Sequence, residues 1–328
     1  MIRIKERLIL NFKYFAILTV IFISFFYTGR ALTNEVLLTK QEVKTLVQVI
    51  NKQIKLHYYD ERKGKAISQK LNSLLANDYF YSSLRLDEIV TRINTVFSSS
   101  HGDGFIDLQF NTNKAPNFEL SKHKNLYSDY AITYQTIEPQ IAYVQLEGVF
   151  TNQESISDFK RVIYDLRDHE NIILDISEAQ GASFSVIHQY LSLLLEPNLH
   201  IANIKQVGDQ DVIPIVTDRA DTKSSSFEPR HIVILQSSFN EQTWEFFADT
   251  LQQKGSVIIG EESIGNANIS QLISIGNQLI LSLPYAVIER PTDGSNWTDE
   301  GVTPNYFSSK AQALSIALAH IKGELKKH

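Results

Sequence analysis

The sequence predicts an α/β protein: a mostly parallel sheet preceded by a small helical bundle. Three observations carry that expectation. From Ile132 onward, short aliphatic runs alternate with segments whose apolar residues recur at helical spacing, the pattern of parallel strands covered on both faces by helices. From Leu38 to about Ser100 the spacing is helical, in three segments. The 328 residues exceed what one compact core usually holds, so two folded units and a tail are expected.

The N-terminus reads as an address. Arg3, Lys5, Arg7 and Lys13 precede an uncharged run from Tyr14 to Gly29. That run of 16 residues is longer than a signal-peptide core and shorter than the ~18–20 that span a bilayer comfortably. Gly29-Arg30-Ala31 offers a small-x-small cleavage site, so residues 1–31 read as a signal peptide or membrane anchor. The basic flank comes first, which places the rest outside the cytoplasm, in the periplasm or cell envelope.

Val43, Leu46, Val47, Ile50 and Ile54 make the first helical stripe, opened by a Thr39–Glu42 capping box. Ile67, Leu71, Leu74 and Leu75 make the second. Leu86, Ile89, Val90, Ile93 and Phe97 make the third, opened by Ser83 with Asp87 and Glu88 in its first turn. Residues 111–130 are polar and read as a linker. Beyond them, strand 141–150 precedes a helix over 154–168, and strand 171–177 precedes a helix over 183–196. Strand 231–235 runs into a helix over about 241–253, in which Phe247 and Leu251, an i,i+4 pair, are expected to be buried in the core with Trp244 turned elsewhere, and strand 256–260 follows. Two meander strands come next, then a last helix with Leu314, Leu318, Ile321 and Leu325 on one face.

Composition removes several function classes. A net charge of −6 without a basic stripe argues against nucleic acid. The absence of cysteine removes disulfides, thiolate metal sites, cysteine nucleophiles and a lipidated cysteine together. Nine histidines with no HExxH or His-x-His pair give a metal site little support. No metal and no cofactor are expected.

The elbow segment Leu235–Gln252, LQSSFNEQTWEFFADTLQ, resembles the active-site stretch of the C-terminal-processing (tail-specific) serine peptidases, in the branch related to interphotoreceptor retinoid-binding protein. Family members read roughly L-T-S-x-x-T-x-S-A-A-E-x-F-A there, the second serine being the nucleophile. Leu235, Ser237, Glu245, Phe247 and Ala248 match, and the nucleophile position falls on Gln242, whose primary amide cannot attack a carbonyl. Of the elbow serines, Ser237 matches a non-catalytic one.

Three further segments match, which with the elbow makes four in chain order, GEESIGNAN being taken together with the elbow. In VFSSSHGDGFIDLQF the family's histidine base overlays Phe105, with His101 four residues upstream, about 13 Å along an extended chain. In LDISEAQGASFS, Asp175 and Gly181 survive while Gln180 takes the first of two oxyanion glycines and Ala182 follows; a β-carbon at Gln180 is expected to crowd the cleft. In GEESIGNAN, Ser263 holds a polar position and Asn266 stands where dyad-using relatives place a lysine base. In RPTDGSNWTDEGVTPN, Pro291, Gly294, Trp297, Gly301, Val302 and Pro304 all fit, and Asp299 or Glu300 is close enough to orient a neighbouring group.

The resemblance implies a crotonase-like (ClpP/crotonase) core over 131–328 and a helical bundle over 38–110. Only about 30 residues separate Phe110 from Ile141, so the PDZ domain many relatives insert there is not expected. It implies a degenerate peptidase that keeps a cleft for a peptide or protein C-terminal tail, with Ser237, Glu245, Ser263, Trp297 and Glu300 as cleft residues. Two alternatives stand beside it: an active serine peptidase with a rearranged catalytic set, and a module binding a small apolar ligand through Phe105, Phe239 and Trp244.

Overall fold

The computed structural model describes residues 36–99, 105–111, 130–206, 212–218, 231–240, 242–276 and 278–325. The leader and His101 lie outside the described residues, and no helix among those described is long and apolar enough to cross a membrane.

Helices α1 (Lys40–His57), α2 (Glu61–Leu75) and α3 (Leu86–Phe97) form where the apolar stripes fall. The capping box is present, with Glu42 N–H donating to Thr39 Oγ1 at 3.2 Å and Thr39 N–H donating to the Glu42 carboxylate at 2.7 Å. Helix α3 is capped by Arg85, not opened by Ser83. Tyr58–Asp60 join α1 to α2, and Asp60 caps α2 directly, its side chain accepting from Lys63 N–H. The three helices pack their buried faces on Leu279, Leu281 and Leu283 of strand β10 (Leu279–Glu289).

Among the described residues, the parallel sheet is one of two sheets. It contains β2 (Tyr130–Glu138), β3 (Ile141–Phe150), β4 (Asn171–Ala182), β7 (His231–Gln236), β8 (Val257–Gly260) and β11 (Tyr306–Phe307), ordered β11-β8-β7-β4-β3-β2 and parallel except for β2. Successive residues of β4 face opposite ways. Ile172, Leu174 and Ile176 meet helices α4 (Gln153–Asp165), α5 (Phe184–Leu194) and α6 (Thr243–Gln253), while Ile173 meets the terminal helix α7 (Lys310–Ile321). On α7 it is Ala313 and Ala317 that are fully covered, with Leu314, Leu318 and Ile321 half-buried beside them.

A second, antiparallel sheet joins the two expected meander strands to three shorter strands that the sequence reading did not place, and it is the main addition to the expected architecture. Strands β1 (Asp107–Phe110) and β5 (His200–Gln206) lie along one edge of β10, β9 (Asn268–Gly276) pairs with the other, and β6 (Val212–Val216) pairs with β5. Tyr59 N–H donates to Pro284 O at 3.1 Å between the stretches paired with β1 and β5. The helical unit is tied to the fourth matching segment by Lys63 and Asp299, 2.6 Å apart.

Helix α6 also differs from expectation. The i,i+4 pair Phe247 and Leu251 is buried as its spacing suggests, but Trp244 and Phe246 are buried too, as is every residue from Thr243 to Leu251. The helix is enclosed on all sides, by α5 and by β4, β7 and β8 among others. Asp249, charged in this apolar setting, is paired with Arg290 at 2.6 Å, and its carboxylate holds the guanidinium pKa above its ordinary value.

Candidate functional site

Strand β7 ends at Gln236 and the chain turns through Ser237–Gln242 into α6. Asn240, fully buried, builds that turn: its Oδ1 accepts from Ser237 N–H at 2.9 Å, and its Nδ2 donates to Ile176 O at 2.9 Å and Ala179 O at 3.2 Å. Ser237 Oγ donates to Ser177 O at 3.0 Å. The sequence reading missed Asn240, although asparagine between a strand and a helix start is a turn signal with a known mechanism.

Gln242 is the N-cap of α6, with φ 48° and ψ −100°. For a residue with a β-carbon this backbone lies outside the left-handed well and costs on the order of 1–3 kcal/mol, a strain that gathers at functional sites. Its side-chain Nε2 donates to Asn268 O at 3.0 Å. The carboxamide is therefore engaged with the start of β9, and it has neither a nucleophilic atom nor a titratable proton.

Glu245, fully buried one turn into α6, is a clamp. Its Oε1 accepts from Ser263 Oγ at 2.6 Å and Gly265 N–H at 2.5 Å, and its Oε2 from Gln242 N–H and Asn266 N–H, both at 2.8 Å. Ser263 Oγ in turn accepts from Val302 N–H at 2.7 Å. Thus the elbow and the GEESIGNAN loop meet on one carboxylate, and the fourth segment joins them through Ser263. Gly301, in that fourth segment, needs to be glycine: at φ +80° a β-carbon would sit 2.4 Å from Ser263 O.

The oxyanion stretch lies beside the elbow and belongs to a strand longer than the expected 171–177. Strand β4 runs on to Ala182, and Gly181 and Ala182 pair with Val149 and Phe150 of β3. Ala182 O accepts from Thr243 Oγ1 at 3.1 Å, which brings this strand end against the first turn of α6. Gln180 is solvent-exposed, and Gly181 has open space where a β-carbon would stand. Asp175 is buried and accepts from Tyr143 O–H at 2.6 Å; burial, with Asp175 adding to it, pushes the Tyr143 pKa up.

The remaining candidates separate. Asn266 presents its Oδ1 to Asn268 N–H at 3.1 Å. The Asn268 side chain is fully buried, with both polar atoms unpartnered. Ser238 Oγ donates to Glu261 at 2.7 Å; that hydroxyl and the Ser238 N–H hold the Glu261 pKa below its usual range. Trp297 is buried in the core with its indole N–H unpartnered, whereas Glu300 is exposed. Phe105 stands just before β1, in the antiparallel sheet rather than on the elbow strand. Trp244 is sealed against Phe150 and Phe247, while Phe239 is 80% exposed, so these two do not line one apolar cavity. Among the described residues, no serine hydroxyl is hydrogen-bonded to a histidine, and no group of acidic and histidine side chains could hold a metal.

A parallel strand that turns through a strained residue straight into a helix is the scaffold on which hydrolases mount a nucleophile. Residues 140–307, just over half of the chain, match the model of peptidase family S41. The chain belongs to that family, the C-terminal-processing peptidases. No curated protein matches the chain. A solved lipoprotein from Streptococcus agalactiae has 16% identity and a TM-score of 0.59, covering 90% of this chain and 100% of that one. A candidate peptidase from Parabacteroides merdae has 13% identity and a TM-score of 0.61, covering 89% and 98%. These likenesses concern the fold alone.

Proposed function

We propose that this chain is an exported, membrane-associated S41 member whose catalytic set has degenerated, and that its elbow cleft works by binding a peptide or a protein C-terminal tail. The reading takes residues 131–328 as a crotonase-like core, 38–110 as a helical bundle in front of it and 111–130 as the linker. The observation that carries it is Gln242: the backbone keeps the strained elbow geometry, while the side chain that should attack is a carboxamide bonded to Asn268 O. Phe105 at the histidine position and Asn266 at the lysine position agree with it, since neither can accept a proton from a nucleophile, and Gln180 replaces the first oxyanion glycine.

The purified full chain is expected to leave an unstructured peptide uncut and to resist labelling by a serine-directed fluorophosphonate. Gln242→Ser alone should stay inactive, because a hydroxyl without a base within ~3.2 Å remains a weak nucleophile. Adding Phe105→His is the minimal restoration. Cleavage by the unmodified protein together with one labelled serine would overturn the degenerate reading in favour of a rearranged catalytic set.

Export rests on the basic residues ahead of the Tyr14–Gly29 run, and the membrane association on that run itself, since the chain has no cysteine to lipidate. A C-terminal reporter active only in the cytoplasm should stay silent; a strong signal contradicts this address.

A further inference from the structure

Away from the elbow, strand β2 and helix α4 frame a groove that the reading above does not use. β2 is the end strand of its sheet: it pairs with β3 on one side and, among the described residues, with nothing on the other. Most of its nine residues are exposed. Free strand edges are normally guarded by lysine, proline or an inward charge, and residues 130–137 contain none of these. Tyr130, Ile132 and Tyr134 alternate along β2 and so share a face. That face is turned to α4, because Tyr130 O–H donates to Asp158 at 2.8 Å and Tyr134 O–H to Asp165 at 2.9 Å.

Between strand and helix lies a cavity of about 350 Å³, lined by those three side chains with Glu154, Asp158 and Arg161 among others. Two carboxylates and two phenol rings thus face one guanidinium. Arg161 pairs with Asp158 at 2.9 Å, but its side chain is 69% exposed, and a surface pair of this kind contributes little and gives way readily. Burial, with the hydrogen bond to Asp158 adding to it, raises the Tyr130 pKa, so the hydroxyl keeps the proton that it donates to Asp158.

An extended chain laid on the free edge of β2 would satisfy its exposed N–H and C=O groups and send every second side chain over the α4 face. A cation among two phenol rings and two carboxylates is favoured by charge and by the ring quadrupoles. We infer that the β2–α4 groove is a peptide-binding site separate from the elbow. It takes an extended segment of a partner protein by strand addition and seats a lysine or arginine side chain among Tyr130, Tyr134, Glu154 and Asp158.

The test uses the full chain in detergent and fluorescence anisotropy. The probes are a fluorescein-labelled peptide of alternating threonine and valine with one central lysine, its glutamate counterpart, and the lysine peptide N-methylated at alternate residues. Only the unmethylated lysine peptide should bind with saturation, and hydrogen exchange should slow at the backbone amides of residues 131–137. Glu154→Gln combined with Asp158→Asn should weaken it by roughly tenfold, while circular dichroism shows the variant folded. Equal binding of lysine and glutamate peptides, no binding, or protection confined elsewhere overturns the proposal. So does a concentration-dependent dimer that protects β2 and excludes the peptide, since the occupant of the edge would then be a second copy of this chain.

Discussion

Glu245→Ala is expected to destabilise the protein by about 3–5 kcal/mol, because it removes one acceptor from four donors at once. Ser263 O–H, Gly265 N–H, Asn266 N–H and Gln242 N–H all converge on that carboxylate. Ser263 and Gly265 are buried, where a donor left without a partner costs roughly 1–3 kcal/mol. Gln242 and Asn266 are half-buried, so water can compensate part of their loss. Glu245→Gln should be intermediate in shape but still costly, since its NH2 group would meet N–H donors. Denaturant unfolding followed by the fluorescence of Trp244 and Trp297 reads the effect directly; a loss under about 1 kcal/mol would show that the three segments are held together by something other than this carboxylate.

Phe247→Ala should cost ~3–5 kcal/mol, the range for emptying a fully buried phenylalanine site. Its ring is fully buried and meets the Trp244 indole edge-on, centroids 5.6 Å apart. Because α6 is enclosed on every side, its neighbours have little room to collapse into the void, which favours the upper part of that range. The same transition measured by urea unfolding should move its midpoint without changing its slope. A cost below about 1 kcal/mol would mean that the ring is not packed as described.

Much of the fold was legible because it follows from local period. The stripes of α1, α2 and α3, the capping box at Thr39, and the parallel strands 141–150, 171–177 and 231–235 are read from spacing alone, and the structure places them there. The family was legible in short motifs, where Gly301 and Trp297 record close packing that tolerates few substitutes. The position of the elbow followed from a strand running into a helix.

What the spacing could not show is decided by partners distant in sequence. The helix pattern of α6 suggested two buried residues, but burial of all nine from Thr243 to Leu251 depends on what surrounds the helix, which no window of its own sequence contains. The strand that begins at Asn171 reads as ending at residue 177; pairing with β3 extends it to Ala182. Short β5 and β6, each without a distinctive period, became strands only because β10 gave β5 an edge to pair with and β5 in turn gave one to β6. Glu245 looked like one motif residue among several until the elbow and the GEESIGNAN loop delivered donors to it. By itself, then, the sequence determined the helical unit, the parallel core and a carboxamide at position 242, because periodicity and residue chemistry are local. The tertiary structure alone decided the antiparallel sheet, the strained φ at Gln242 and the clamp on Glu245, because burial and hydrogen-bond convergence arise only when distant segments meet.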